Sequence, residues 1–213
     1  VAIRNWDALI DALVADLDRR PLGLATVLML ATLIAVITAI AGLYLTIGPR
    51  PDAVASLGSV RFVAKFVFTF SLFGFGLVVL KASLVPGRGL PVVWLLAPVG
   101  VIIVAAVLEL ISIPRELWPG AQIGQNSRVC MTFIPLLGLA PLSAFMLALR
   151  KGAPTSSTGA GALAGLVAGG ISASVYAAHC TDDSPLFVVT WYPIGIALLM
   201  VAGAVLGRFL VRW

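Results

Sequence analysis

The scarce reactive side chains of this protein are gathered in one place. The run His179-Cys180-Thr181-Asp182-Asp183-Ser184-Pro185 holds the single histidine, one of the two cysteines and two adjacent acids, set between long apolar stretches. Thiolate, imidazole and carboxylate together are the ligand types of zinc or cadmium, and a thiol is also a target of oxidants. The other cysteine, Cys130, falls near the start of a further apolar stretch, two residues after Arg128. A helix N-terminus and a neighbouring cation both favour a thiolate there. Three readings of the pair stand open: a disulfide, a soft-metal site shared with His179 and an acid such as Asp182 or Asp183, or two unrelated residues. The spacing matches no zinc-finger pattern. His179, Asp182 and Ser184 are the residue types of a hydrolytic triad, but a loop this short could hardly give them triad geometry. No phosphate-binding loop, dinucleotide fingerprint, zincin helix or CxxC pair occurs. Catalysis is therefore not expected and no cofactor is required. Transient zinc or cadmium at Cys130, Cys180 and His179 is the ligand chemistry these residues favour.

The elements that must position this loop are membrane helices. Of the 213 residues, 61% are hydrophobic and 11% charged, against roughly 45–50% and about 25% in a soluble domain, and the mean hydropathy is +1.10. Six apolar runs have the ~20-residue length that crosses ~30 Å of hydrocarbon. They are expected at about 24–45, 62–80, 91–110, 127–149, 159–178 and 186–207, with Asn126 or Ser127 capping the fourth. The fold class is all-α: a polytopic membrane protein whose six-helix transmembrane domain covers residues 22–213. No separate cleavable signal is expected, because the first run is too long and lacks a small-residue cleavage site. Arg61 and Lys65 are read as interfacial anchors, and Pro98 as a bend or a local helix adjustment. Pro135 and Pro141 should bend the fourth span. Gly161, Gly165, Gly169, Ala173 and Ala177 recur every fourth residue and give the fifth span a close-contact face, expected to serve internal packing.

Residues 1–21 form a separate segment outside the membrane. After Asn5, a fair N-cap, Trp6, Leu9, Ile10, Leu13, Val14 and Leu17 follow amphipathic helical spacing. Asp7, Asp11 and Asp18 fall within roughly 40° of one another beside that stripe. A helix made to lie on lipid carries Lys and Arg on its polar face; acids argue instead for a basic protein groove, so Trp6, Asp7, Leu9, Ile10, Asp11, Leu13 and Leu17 are the candidate partner-binding residues. The plain alternative is a juxtamembrane helix folded back on its own bundle.

Charge sets the expected orientation. With the N-terminus inside, the cytoplasmic face carries Arg4, Arg19, Arg20, Lys81, Arg88, Arg150, Lys151, Arg208 and Arg212, and the outer face the remaining five of the fourteen cations, Arg50, Arg61, Lys65, Arg115 and Arg128. The bias of Lys and Arg toward the cytoplasm favours both termini inside. Cys130, Cys180, His179, Asp182, Asp183 and Glu109 then face the outer side. The +5 net charge is a matter of lipid contact and orientation and gives no support to direct nucleic-acid binding.

The run from His179 to Phe187, followed by Trp191-Tyr192, resembles the signature of the NrsF-type membrane anti-sigma factors. Arg150-Lys151-Gly152-Ala153-Pro154, Cys130 in the fourth span and the six-span layout are similar too, over nearly the whole chain. The resemblance implies a bacterial inner-membrane protein whose cytoplasmic part restrains an extracytoplasmic-function sigma factor. It also implies that two extracytoplasmic cysteines, here Cys130 and Cys180, are linked to release of that factor under heavy-metal or oxidative stress. His179, Asp182 and Asp183 complete the expected sensor. A small membrane transporter or metal-handling protein using Glu109 and the His179 loop as a mouth site is the alternative, although no internal repeat or midplane ligand group supports it. A membrane thiol oxidoreductase would need a quinone or haem ligand set, and none is evident.

Overall fold

The computed structural model describes Ile10, Asp11 and residues 23–211. Six helices in it are long and apolar enough to cross a membrane, and the described residues contain no strand. The helices are α1 (Leu24–Thr46), α2 (Ala53–Ser56), α3 (Val60–Ser83), α4 (Leu96–Ser112), α5 (Trp118–Ile123), α6 (Ser127–Leu149), α7 (Ser157–Ala177) and α8 (Pro185–Leu210). Each expected span is found with its ends moved by a few residues. Short 3-10 turns at Val92–Leu95 and Arg115–Leu117 lead into α4 and α5.

The bundle is built around α7, and the reason is the smallness of its side chains. Nearly every residue from Ala160 to Ala177 is buried, because Gly, Ala and Ser let neighbouring backbones come close on several sides. The glycine stripe packs internally, as expected. A Cβ on Gly165 would run into the backbone of Leu199 and Met200 in α8, and one on Gly161 into Gly203 and Gly207. On its other faces α7 packs against α3 and α6, α1 lies on α6, and α4 sits outermost against α3 and α8. Leu28, Ala31, Ala35, Ala39 and Leu43 are the buried line of α1, spaced three and four residues apart as one helix face requires.

Pro98 is accommodated by local adjustment. It occupies the first turn of α4 directly after the 3-10 turn, where a missing N–H leaves no helical bond unmade. Pro135 and Pro141 both lie inside α6, which remains one helix. Because spans alternate in direction, the C-terminal ends of α1, α4 and α7 and the N-terminal ends of α3, α6 and α8 meet at one face of the bundle. The loop from Ala178 to Ser184 sits there.

Candidate functional site

The loop is short, so its backbone is fixed from both sides. His179 and Cys180 donate their N–H groups back to Tyr176 O at 2.9 and 3.1 Å, closing α7, and Ser184 stands at the N-cap position of α8, without a side-chain capping bond, before the helix opens on Pro185. Between them the polar side chains reach several other elements. His179 Nδ1 donates to Gly48 O at 2.8 Å, just beyond α1. Gly48 has φ +65°, the left-handed backbone that glycine adopts without strain. Arg50, two residues on, donates its backbone N–H to Ala178 O at 3.0 Å.

Asp183 is the electrostatic centre. Its Oδ1 accepts from Lys65 Nζ at 2.5 Å and its Oδ2 from Arg50 Nη1 at 3.0 Å, and both cations also donate to Cys180 O, at 2.7 and 3.3 Å. The Lys65 side chain is wholly buried, so α3 delivers a charge into the bundle and this loop neutralises it. Lys65 and Arg50 both stand over the Phe62 ring, 4.8 and 5.4 Å from its centroid, where the ring face attracts cations. The rest of the Arg50 guanidinium forks onto exposed Asp52 through two 2.7 Å bonds. That fork, with Asp183 adding to it against the cost of burial, raises the Arg50 pKa, and it holds Asp52 at about 2.

The neighbouring acid has an unrelated task. Asp182 accepts the backbone N–H groups of Gln125 and Asn126, at 3.0 and 2.8 Å, and the Asn126 side-chain amide at 2.9 Å. A carboxylate thus sits at the start of α6, where unpaired N–H groups and the helix dipole favour negative charge. The expected cap from the Asn126 or Ser127 side chain is not made; Asp182, more than fifty residues later in the chain, instead holds the two N–H groups that lead into the helix. Gly124 turns the backbone toward this contact with φ +58°, and a Cβ there would strike Phe187 and Asp182.

Glu109 repeats the device at α8. Buried at the end of α4, its Oε2 accepts from the Ser184 hydroxyl at 2.6 Å and from Leu186 N at 3.0 Å, while Oε1 faces Arg61 Nη2 at 3.4 Å. Two expectations are corrected here. Lys65 is an internal ion partner and no interfacial anchor, because its side chain is fully buried and paired with Asp183. Glu109 and His179 do not form an open mouth site, because both are spent on structural bonds.

Cys130 and Cys180 are free thiols, both buried in one apolar cluster with Tyr176, Phe187 and Tyr192. The chain thus folds to bring into one cluster two residues fifty positions apart. Burial pushes the Cys180 thiol up, with Lys65 opposing the shift. Cys130 is the fourth residue of α6 and its N–H is already bonded to Asn126 O at 2.7 Å. Its surroundings are aromatic and aliphatic, in which a cysteine behaves as a small apolar side chain, and the features expected to favour a thiolate are overridden by that burial. The Tyr176 and Tyr192 hydroxyls are buried, and no hydrogen-bond partner to them occurs among the described residues.

The metal set expected from Cys130, Cys180 and His179 is not assembled in this arrangement. Among the described residues no three His, Cys, Asp or Glu side chains converge as ligands. His179 turns to Gly48, Asp182 to α6 and Asp183 to two cations, each satisfied where it stands. Of the candidate partner-binding residues, Ile10 and Asp11 are helical and exposed; Trp6, Asp7, Leu9, Leu13 and Leu17 lie outside the described residues. Reading the sequence alone misses Arg50, Lys65, Tyr176 and Tyr192 as parts of the site. The available signal was the cost of a charge inside an apolar run, which points at Lys65 and Glu109.

Comparison with known proteins adds the following. The profile of the family NrsF, described as negative regulator of sigma F, matches residues 13–213. The anti-sigma-F factor NrsF of Caulobacter vibrioides (strain NA1000 / CB15N) is 32% identical over 219 positions, covering 97% of this chain and 99% of that protein. The probable anti-sigma-F factor NrsF of Azospira oryzae (strain ATCC BAA-33 / DSM 13638 / PS) is 32% identical over 90 positions, 42% of each chain. No solved structure matches.

Proposed function

The chain belongs to the NrsF family of negative regulators of sigma F, and from this membership we propose that it is an anti-sigma factor of the bacterial inner membrane that holds an extracytoplasmic-function sigma factor at the cytoplasmic face. Both termini lie inside in this reading, following the Lys and Arg bias. The 1–21 segment, with its apolar strip edged by Asp7, Asp11 and Asp18, contributes to the grip. The observation that carries the reading is the length of the match, which runs from residue 13 through all six helices and covers nearly the whole of a relative of the same size. The Cys130 and Cys180 pair is the sensing element for heavy metal or oxidant. In support, both thiols share one cluster under a loop whose bonds reach α1, α3, α4 and α6, so a change of covalent or ligand state there disturbs four helices at once.

The signal passes to the cytoplasm through α1. His179 and Arg50 tie the loop directly to the end of α1, and α1 leads back to the 1–21 segment. Recovery of the intact protein from its native membrane, with and without cadmium or a thiol oxidant, is the test: a sigma factor should co-purify and be lost on treatment. Absence of any sigma factor from the untreated complex overturns the function. Unchanged recovery after treatment, or a Cys130→Ser or Cys180→Ser variant that still responds fully, overturns the sensing step alone.

A further inference from the structure

The side of α1 that faces α3 is not closed by side chains. Two cavities, of about 480 and 350 Å³, lie between the helices and share Val36 as a lining residue. The larger runs along Ala25, Met29, Thr32 and Val36 of α1 and Leu77 of α3, and ends at Lys81; the smaller continues past Phe70 to Tyr44. The lining of the larger cavity is apolar apart from Thr32, whose hydroxyl is spent on Leu28 O at 2.9 Å, and Lys81 itself; the smaller adds Tyr44 and Ser174, the latter bonded to Gly170 O at 2.7 Å. Lys81 is exposed, and no ion pair to it occurs among the described residues. At 1.5 Å per residue, Ala25 to Val36 is about 16 Å, half of a ~30 Å hydrocarbon core. The larger cavity is therefore one leaflet deep and apolar along its length, with the Lys81 ammonium at its surface end.

We propose that this slot binds an anionic phospholipid, one acyl chain lying between α1 and α3 and the phosphate paired with Lys81. A chain alone would enter from any lipid. The cation at the mouth selects the headgroup, because a zwitterionic lipid brings its own cation beside Lys81 whereas an anionic one does not. The occupant props α1 away from α3, which makes the seating of α1 depend on the lipid. A groove on the other side of α1, running along Val27, Ala31 and Ala144 to Lys151, serves as the internal comparison.

The test is native mass spectrometry of the intact chain in non-ionic detergent, equilibrated with equal amounts of phosphatidylglycerol and phosphatidylcholine carrying identical acyl chains. The wild type should retain phosphatidylglycerol preferentially. Lys81→Ala should lower that preference about fivefold, the effect of the ~1 kcal/mol that one lysine near an anionic leaflet contributes. Lys81→Arg should preserve it, and Lys151→Ala should leave it unchanged. Thr32→Trp, which fills the slot while leaving the lysine, should abolish retention of both lipids, with circular dichroism confirming that the helices persist. Equal retention of the two lipids by the wild type, an unchanged preference in Lys81→Ala, or a loss that follows Lys151 instead would overturn the proposal.

Discussion

Replacing Asp183 by Asn removes the charge that balances the buried Lys65 ammonium while keeping shape. Lys65 is fully buried and Asp183 is 20% exposed on its side chain. Removing one member of a buried pair costs about 3–5 kcal/mol, because the other is left charged and uncompensated. Here the loss is smaller. Lys65 keeps Cys180 O as an acceptor, Arg50 keeps Asp52, and the asparagine oxygen still accepts one bond, which brings the expected cost to about 2–3 kcal/mol. Lys65→Met alone should cost less, since Asp183 retains Arg50, and the double variant should cost less than the sum by about 1–2 kcal/mol. The loop is the lid over Cys180, so opening can be read as the rate of Cys180 labelling by a small maleimide in a Cys130→Ser background. If the lid opens in fast equilibrium, the Asp183→Asn rate should rise by roughly 30- to 150-fold. An unchanged rate, or strictly additive effects of the two substitutions, would refute the view that Asp183 holds the loop down by pairing with Lys65.

Three further outcomes are expected. Glu109→Ala should lower stability by about 2–3 kcal/mol in a denaturant titration, because Leu186 N–H and the Ser184 hydroxyl lose their acceptor in a buried site; Glu109→Gln, which restores an acceptor, should recover most of it. Gly165→Val should abolish accumulation of folded protein, since a side chain there meets the α8 backbone, whereas Gly74→Ala, where a Cβ meets nothing within 4 Å, should be tolerated. Both are read by size exclusion of the solubilised protein. Stability should also fall as pH rises above about 8.5, the ordinary thiol value. The Cys180 thiol, pushed up by burial, holds its proton in the folded state after the unfolded chain has released it, and its stabilising effect is lost as pH rises. The slope from one such group is at most about 1.4 kcal/mol per pH unit, and Cys180→Ala should lower the slope by that share, leaving what buried Cys130 contributes.

The six spans were legible because each is a local property: an apolar run long enough to cross a bilayer needs no partner to be recognised. The glycine stripe of α7 was legible for a similar reason, since spacing alone fixes a helix face. Partnerships were not. Asp182 and Asp183 are adjacent and chemically identical, yet one holds the backbone leading into α6 and the other neutralises cations from the α1 end and α3, a division that depends on which neighbours arrive from 56 to 133 residues away. Lys65 could be read only as a charge close to a span end. Its inward turn follows from the presence of Asp183, and nothing near it in sequence announces that. The short α5 was missed because Trp118–Ile123 is too brief to have a period of its own. Cys130 carried the local marks of a reactive thiol, and the decisive factor, burial against Tyr176, Phe187 and Tyr192, comes from two other helices.

Prolines inside α6 and a glycine face on α7 would be the obvious places for a signal to be absorbed and passed on. Packing argues for a different path. A shift of α7 along or across its axis would force Gly161 and Gly165 against the backbone of α8, and such contacts cannot yield by a change of rotamer. The prolines do not free α6 either, since Pro141 is itself buried and α6 packs on α1, α7 and α8. By contrast α1, which packs on α6 and more lightly on α7, leaves its side toward α3 open. It rests on α6 through small residues, faces the cavities that separate it from α3, and is joined to the cysteine-bearing loop by His179, Arg50 and the Ala178 carbonyl. A displacement of that loop therefore meets less resistance in α1 than in α6 or α7. The glycine stripe is best understood as what keeps the rest of the bundle still while α1 tilts, so Gly165 variants that fold should alter stability before they alter signalling, and substitutions that fill the α1 to α3 cleft should do the reverse.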